Sequence, residues 1–205
     1  MTALYLASQS PRRRELLSQI GVQYTVLSVT VEESRGAGES PQDYVSRLAC
    51  EKSAAGWYKL HASGDVHAPV LGADTIVVLQ GKVLEKPVDE ADAIRMLLAL
   101  SGQVHEVFTA VALTSGNDQA SVLCRSEVLF GEITPAQAVA YWRTGEPRDK
   151  AGAYGIQGAG AVFVEKITGS YSAVVGLPLF ETKKLLNEFD IRVWQFEVMP
   201  EQKHS

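Results

Sequence analysis

Short apolar runs alternate with proline-started helical stretches along this chain, and that alternation restricts the fold more than any other feature. Residues 4–7 form an apolar run, and Ser10-Pro11 follows at once, a capping residue with proline at the first helical position. Leu16, Leu17 and Ile20 continue as a helical stripe that Gly21 ends. Residues 24–29 read as a strand again, and 33–39 as a loop. Ser40-Pro41 repeats the helix-start signal, opening a helix to about Lys59 with Tyr44, Val45, Leu48 and Ala55 on one side. Residues 61–68 read as a surface loop. Residues 70–79 are β-rich, interrupted at Ala73-Asp74-Thr75, and Gln80-Gly81 is a tight turn into Val83-Leu84.

Asp89 caps a helix running through Leu100, and Ser101-Gly102 stops it. Residues 104–114 and 121–130 make a hairpin joined by the polar segment 115–119. Thr134-Pro135 starts a helix to about Arg143, residues 151–160 are glycine-rich, and 162–167 form another strand. Leu177-Pro178 introduces the last helix, to about Phe189. The pattern predicts an α/β fold, a mixed central sheet flanked by helices, with the hairpin excursion making a second lobe. Residues 1–205 form a single domain in this reading, with 190–205 a tail that frays over 201–205.

A net charge of −5 argues against a broad nucleic-acid-binding face while allowing a local basic pocket. Cys50 and Cys124 belong to no CxxC pair, which disfavours zinc and disulfides and suits a reducing compartment. The basic cluster at Arg12, Arg13 and Arg14 follows the first apolar stretch, the reverse of a secretory signal. No apolar run approaches the roughly 20 residues of a membrane span. A cytoplasmic protein is the expectation.

Three segments carry chemistry. Ser8-Gln9-Ser10-Pro11-Arg12-Arg13 sits in a strand-to-helix turn, where unpaired N–H groups, the helix dipole and two guanidinium forks suit an anion such as phosphate. The same segment would also serve as a plain helix cap with solvated arginines. It is not a Walker A loop, whose GxxxxGK[ST] pattern is absent. Asp74 lies inside an otherwise apolar strand, where a carboxylate must be hydrogen-bonded, metal-bound or protonated. It can hold a divalent cation or accept a proton from water, or it is a turn-forming Asp at a strand end. In Asp149-Lys150-Ala151-Gly152-Ala153-Tyr154-Gly155-Ile156-Gln157-Gly158 the glycines let backbone approach a ligand closely, and Gln157 can read the edge of a base. The alternative there is a mobile loop. Glu33, Lys52 and Lys86 are charged groups that stand out little by themselves.

Together the segments resemble the Maf family of nucleotide pyrophosphatases. The matching pieces are Ala7-Ser8-Gln9-Ser10-Pro11-Arg12-Arg13, Arg47-Leu48-Ala49 with Glu51-Lys52, Gly72-Ala73-Asp74-Thr75, Glu85-Lys86-Pro87, the glycine-rich run 149–158 and Val175-Gly176-Leu177-Pro178. Their order and spacing agree over residues 4–189. The resemblance implies a two-lobed fold related to inosine triphosphatases, with the active site in the cleft, a divalent cation (Mg²⁺ or Mn²⁺) and a homodimer. It implies hydrolysis of a nucleoside triphosphate to the monophosphate and pyrophosphate. Asp74 would be the catalytic proton acceptor, with Glu33 sharing the metal. Ser8, Arg13, Lys52 and Lys86 would hold the triphosphate. The branch of the family associated with dTTP and UTP has SPRR, ADT and AYGIQG, all present here. The 7-methyl-GTP branch differs at all three places, so Arg12, Thr75 and Gln157 are the expected base-selecting residues. A nucleotide-binding regulator of septum formation, without turnover, is the competing reading.

Overall fold

The computed structural model describes residues 4–62, 64 and 68–196. One open seven-stranded sheet runs in the order β2 (Thr25–Val26), β1 (Tyr5–Ala7), β3 (Val70–Leu79), β5 (Val104–Ser115), β6 (Asp118–Phe130), β7 (Val164–Thr168), with β4 (Lys82–Leu84) paired to the far end of β3. The β2, β1 and β3 pairings are parallel and the rest antiparallel, which makes the mixed sheet expected from the sequence. Helices α1 (Pro11–Gln19), α2 (Pro41–Ala62), α3 (Glu90–Leu100), α4 (Pro135–Arg143), α5 (Tyr171–Val175) and α6 (Leu179–Glu188) flank it. None of the described helices is long and apolar enough to cross a membrane.

Local chemistry sets most of these boundaries. Asp89 accepts the Asp92 N–H at 2.8 Å, and Thr134 with Gln137 forms a reciprocal capping box. Gln80 and Gly81 both take positive φ, 49° and 78°, in the two-residue turn that suits the strand twist between β3 and β4. Ser10 occupies the N-cap of α1, but its side chain makes no cap; its own N–H donates to Ser8 Oγ at 3.3 Å.

Several expectations need correction. Residues 70–79 form one unbroken strand, because β5 pairs straight through Ala73, Asp74 and Thr75. The turn-forming reading of Asp74 is therefore wrong. Only Thr25–Val26 of the expected strand 24–29 joins the sheet. The hairpin is tighter than expected, with β5 reaching Ser115 and β6 starting at Asp118. Residues Ala159–Phe163 coil into a 3₁₀ turn, so β7 begins at Val164. Helix α5 has no counterpart in the sequence reading; Ser170 caps it by accepting the Ala173 N–H at 3.2 Å. The start of the expected tail is packed: Ile191 is buried, and Trp194 and Gln195 donate to the Ile20 and Gly21 carbonyls at 2.7 and 2.9 Å. The frayed end expected at 201–205 lies outside the described residues.

The hairpin β5–β6 makes no separate lobe, because β5 pairs with β3 from Val70 to Val78 and lies inside the one sheet, which carries two packing blocks on one face. Side chains alternate across a strand, so Leu71, Ala73, Thr75 and Val77 share one face of β3. Leu71 and Ala73 pack with Leu16, Leu17, Leu177 and Leu186, under α1 and α6. Val77 packs with Met96, Leu97, Ala138 and Tyr141, under α3 and α4. Thr75 falls between the blocks and faces buried Thr109 of β5, with the two hydroxyls 3.0 Å apart. A buried hydroxyl without a partner costs about 1–3 kcal/mol, and here each hydroxyl is hydrogen-bonded. The opposite face, with Ile76 and Val78, is covered by Tyr44, Val45, Leu48 and Ala49 of α2.

Candidate active site

The cleft comes from how β3 is paired. On one edge β1 covers Val70, Leu71 and Gly72, and β4 covers Val77, Val78 and Leu79. Between them residues 73–76 pair only with β5 on the other edge. The gap opens into a cavity of about 430 Å³, within the range of roughly 300–1,000 Å³ usual for small-molecule sites. Ser8, Arg12, Arg13, Glu33, Lys52, Asp74, Thr75, Lys86 and Gln157 all line it, so every site residue expected from the sequence meets in one place.

On the α2 side, Gly72 lets helix and strand approach until a Cβ there would lie 2.4 Å from the Ala49 carbonyl oxygen and 2.5 Å from the Ser53 nitrogen. That contact brings Lys52 over Asp74, two residues along the same strand face. Lys52 Nζ donates to Asp74 Oδ1 at 2.7 Å and pairs with Glu33 Oε1 at 2.6 Å. Glu33 itself is placed by the Tyr44 hydroxyl, which donates to its carbonyl at 2.8 Å. Burial works to raise the Glu33 carboxyl, but the Lys52 hydrogen bond and the charges of Lys52, Lys86 and Arg13 outweigh it and hold it below its usual value. Burial, with the carboxylates of Asp74, Glu33 and Glu85 nearby, pushes the Tyr44 phenol up to about 12. Glu85 shows the opposite shift to Glu33: burial and the Asp74 and Glu33 charges raise it. Two carboxylates thus share Lys52, with Glu85 close enough to feel both.

On the α1 side, Arg13 is half-buried and braced. Its Nε donates to the Gly176 carbonyl at 2.9 Å, and its two terminal nitrogens donate to Ser8 Oγ at 3.1 Å and Thr75 Oγ1 at 3.2 Å. Burial pulls the guanidinium below its usual value while Asp74 opposes that. Of five N–H donors, two are left for an anion. The Thr75 hydroxyl is engaged by Arg13 and Thr109, so its contacts here are those of a residue holding Arg13 in place. Arg12 instead reaches across the cleft mouth to Asp149 at 3.7 Å in an exposed pair.

Sequence reasoning passes over Glu85 and Tyr44. Glu85 stands in view beside Lys86 in the Glu-Lys-Pro segment, whereas Tyr44 looks like a core residue of the α2 stripe. The glycine-rich stretch is ordered around Glu146, another residue that nothing in its sequence neighbourhood singles out. Among the described residues, no group of three or more His, Cys, Asp or Glu is arranged to hold a metal ion. Glu33 and Asp74 are the two carboxylates that converge, both on Lys52.

Comparison with known proteins identifies the family of the chain. A family described as "Maf-like protein" matches residues 3–189. A Saccharophagus degradans protein named dTTP/UTP pyrophosphatase is 62% identical over 192 residues, 94% of this chain and 91% of its own. Proteins of the same name from Pseudoalteromonas atlantica and Yersinia pestis are 55% and 56% identical, each covering 92% of this chain and 97% and 94% of their own. The family match covers nearly the whole chain and spans every residue of the cleft, so this chain belongs to the Maf family.

Proposed function

We propose that this chain hydrolyses dTTP and UTP to the nucleoside monophosphate and pyrophosphate, clearing such nucleotides from the pool. The observation that carries the reading is Asp74: a carboxylate on an open stretch of strand, bridged by Lys52 to Glu33 and faced by Arg13 and Lys86. Simple phosphate capture gains nothing from a carboxylate at the heart of a cationic cleft. Hydrolysis needs one.

Each residue has a part in that reaction. The free donors of Arg13, with Lys86 and Lys52, offset the charge of the triphosphate and of the leaving pyrophosphate. Ser8 fixes the Arg13 fork. Lys52 takes Asp74 Oδ1, and no described residue takes Oδ2, which is left to accept a proton from the attacking water. Gln157 and Arg12, which line the same cavity, read the base.

Asp74 and Glu33 are hard oxygen donors, two in number, which fits Mg²⁺ or Mn²⁺ held by one or two carboxylates together with substrate phosphates. A divalent cation would supply charge neutralisation and a lower pKa for the attacking water. The same reading carries a homodimer, checked by sedimentation, and a place in the cytoplasm.

The test is pyrophosphate release from a panel of nucleoside triphosphates, with Mg²⁺ or Mn²⁺ and with EDTA. Metal-dependent release greatest for dTTP or UTP is expected. Asp74→Asn should lower turnover by about 10²–10⁴-fold, the usual worth of a positioned base. Saturable nucleotide binding with no release would favour the regulator instead.

A further inference from the structure

Opposite the Lys52 cluster, one carboxylate organises the wall that carries Gln157. Glu146 opens the 3₁₀ turn Glu146–Asp149 just after α4. Its Oε1 accepts the Tyr141 hydroxyl at 2.7 Å and the Gly160 N–H at 3.1 Å, and its Oε2 accepts the Ala159 N–H at 2.8 Å. The Tyr141 hydroxyl in turn accepts the Gly155 N–H at 3.0 Å. Lys150 Nζ donates to the Glu146 carbonyl at 2.7 Å. The loop 155–160 is thereby tied at both ends to one carboxylate and one phenol, with Gln157 between the ties.

The glycines of the loop fit this arrangement. A Cβ on Gly158 would lie 2.2 Å from Glu146 Oε2, and one on Gly155 would lie 2.9 Å from Oε1 and 2.8 Å from Lys150 Cε. A Cβ on Gly160 would lie 2.4 Å from the Tyr141 hydroxyl oxygen. None of the three adopts the left-handed backbone that calls for glycine on conformational grounds. They are small because the loop closes on the protein's own carboxylate, whereas the sequence suggests close approach to a ligand. A segment this rich in glycine is otherwise the most permissive part of the cleft. The loop N–H and Tyr141 bonds, opposing burial, hold the Glu146 carboxyl below its usual value, so it is an ionised acceptor at neutral pH.

We propose that Glu146 is a positioning residue for base selection: with Tyr141 it fixes the 155–160 loop so that Gln157 meets the base in one orientation. This rests on the reading of the cleft as a nucleotide site with Gln157 at the base. Charge-assisted hydrogen bonds of this kind are among the stronger ones, and a reader held in one orientation discriminates better than a mobile one.

The test measures kcat and KM for dTTP and dGTP in the full chain, in Tyr141→Phe, Glu146→Gln and Gln157→Ala, with thermal unfolding of each. Tyr141→Phe and Glu146→Gln should lower the dTTP-to-dGTP ratio of kcat/KM by about tenfold, the equivalent of one charged hydrogen bond, chiefly through a higher KM for dTTP. Tyr141→Phe keeps the ring in the core, so it decides the matter even if Glu146→Gln fails to fold. A merely structural role would lower kcat for both nucleotides alike and leave the ratio unchanged. A ratio that moves with Gln157→Ala alone overturns the role of Glu146 and leaves Gln157 as base reader. A ratio that moves with none of the three overturns both.

Discussion

Gly72→Ala would test whether the contact that builds the fold also builds the site. The new Cβ would sit 2.4 Å from the Ala49 carbonyl oxygen and 2.5 Å from the Ser53 nitrogen, where ordinary contact begins near 3.4 Å. Both neighbours are helix backbone, so no side chain can swing aside, and α2 must lift by about 1 Å. Overpacking of that kind costs about 1–3 kcal/mol. For a chain of this size, each kcal/mol lowers Tm by roughly 2–4 °C, so a drop of roughly 2–12 °C is expected. Total stabilities of about 5–15 kcal/mol leave the variant folded at 25 °C. Any loss of activity there must come from geometry. Lys52 rides on α2 at 2.7 Å from Asp74, and a displacement of about 1 Å can cost up to 10²-fold in rate. The assay pairs calorimetry with pyrophosphate release at 25 °C. Gly56→Ala is the control: its Cβ meets the Val70 side chain at 2.7 Å, further along α2, and Ala restores about 1 kcal/mol of helix propensity. The control should keep its turnover. If Gly72→Ala unfolds and turns over like the parent, the helix–strand contact does not set the Lys52–Asp74 geometry.

Two other perturbations follow from the same structure. His105 is buried against Tyr154, with its Nε2 2.8 Å from the hydroxyl, and burial depresses it to about 4 while the Gln103 backbone opposes this. An unfolded histidine near 6.5 binds protons that the folded one refuses, so folding stability is full above about pH 6.5 and falls toward pH 4, by about 3 kcal/mol in all. Urea unfolding across that window should show a shallower acid slope in His105→Gln, and parallel slopes would exclude His105 as the source. Lys52→Met removes the ammonium shared by Asp74 and Glu33. Turnover should drop, yet Mn²⁺ alone should bind more tightly in titration calorimetry, because no cation competes for the carboxylates; unchanged Mn²⁺ affinity would speak against this pair as metal ligands.

How far the sequence discloses this protein depends on whether the relevant signal is local. Helix starts are legible because Pro11, Pro41 and Pro135 sit at first helical positions, where their missing N–H costs nothing. The strand 24–29 is overread because apolar character alone does not say whether a neighbour is there to pair with, and β1 offers only Tyr5 and Leu6 as partners. Asp74 stands out because a charge inside an apolar strand needs an explanation at once. Its neighbour Thr75 looks like a base reader on resemblance, but its hydroxyl is engaged by Arg13 and Thr109, contacts no spacing rule could supply.

The cleft itself shows most clearly why local signals run out. Neither Ala7 nor Leu84 stands out in the sequence, yet β1 ends its pairing at Gly72 and β4 resumes at Val77. The site exists because those two short strands leave residues 73–76 of β3 without a neighbour on one edge. One further pair from either strand would narrow the opening over Asp74, even with every charged residue retained. The same logic applies to the far wall, where Gly155, Gly158 and Gly160 make sense only once Glu146 and Tyr141 are seen inside the loop. Charged residues name the chemistry in advance. The places where backbone stops pairing, or closes on itself, decide where that chemistry can happen.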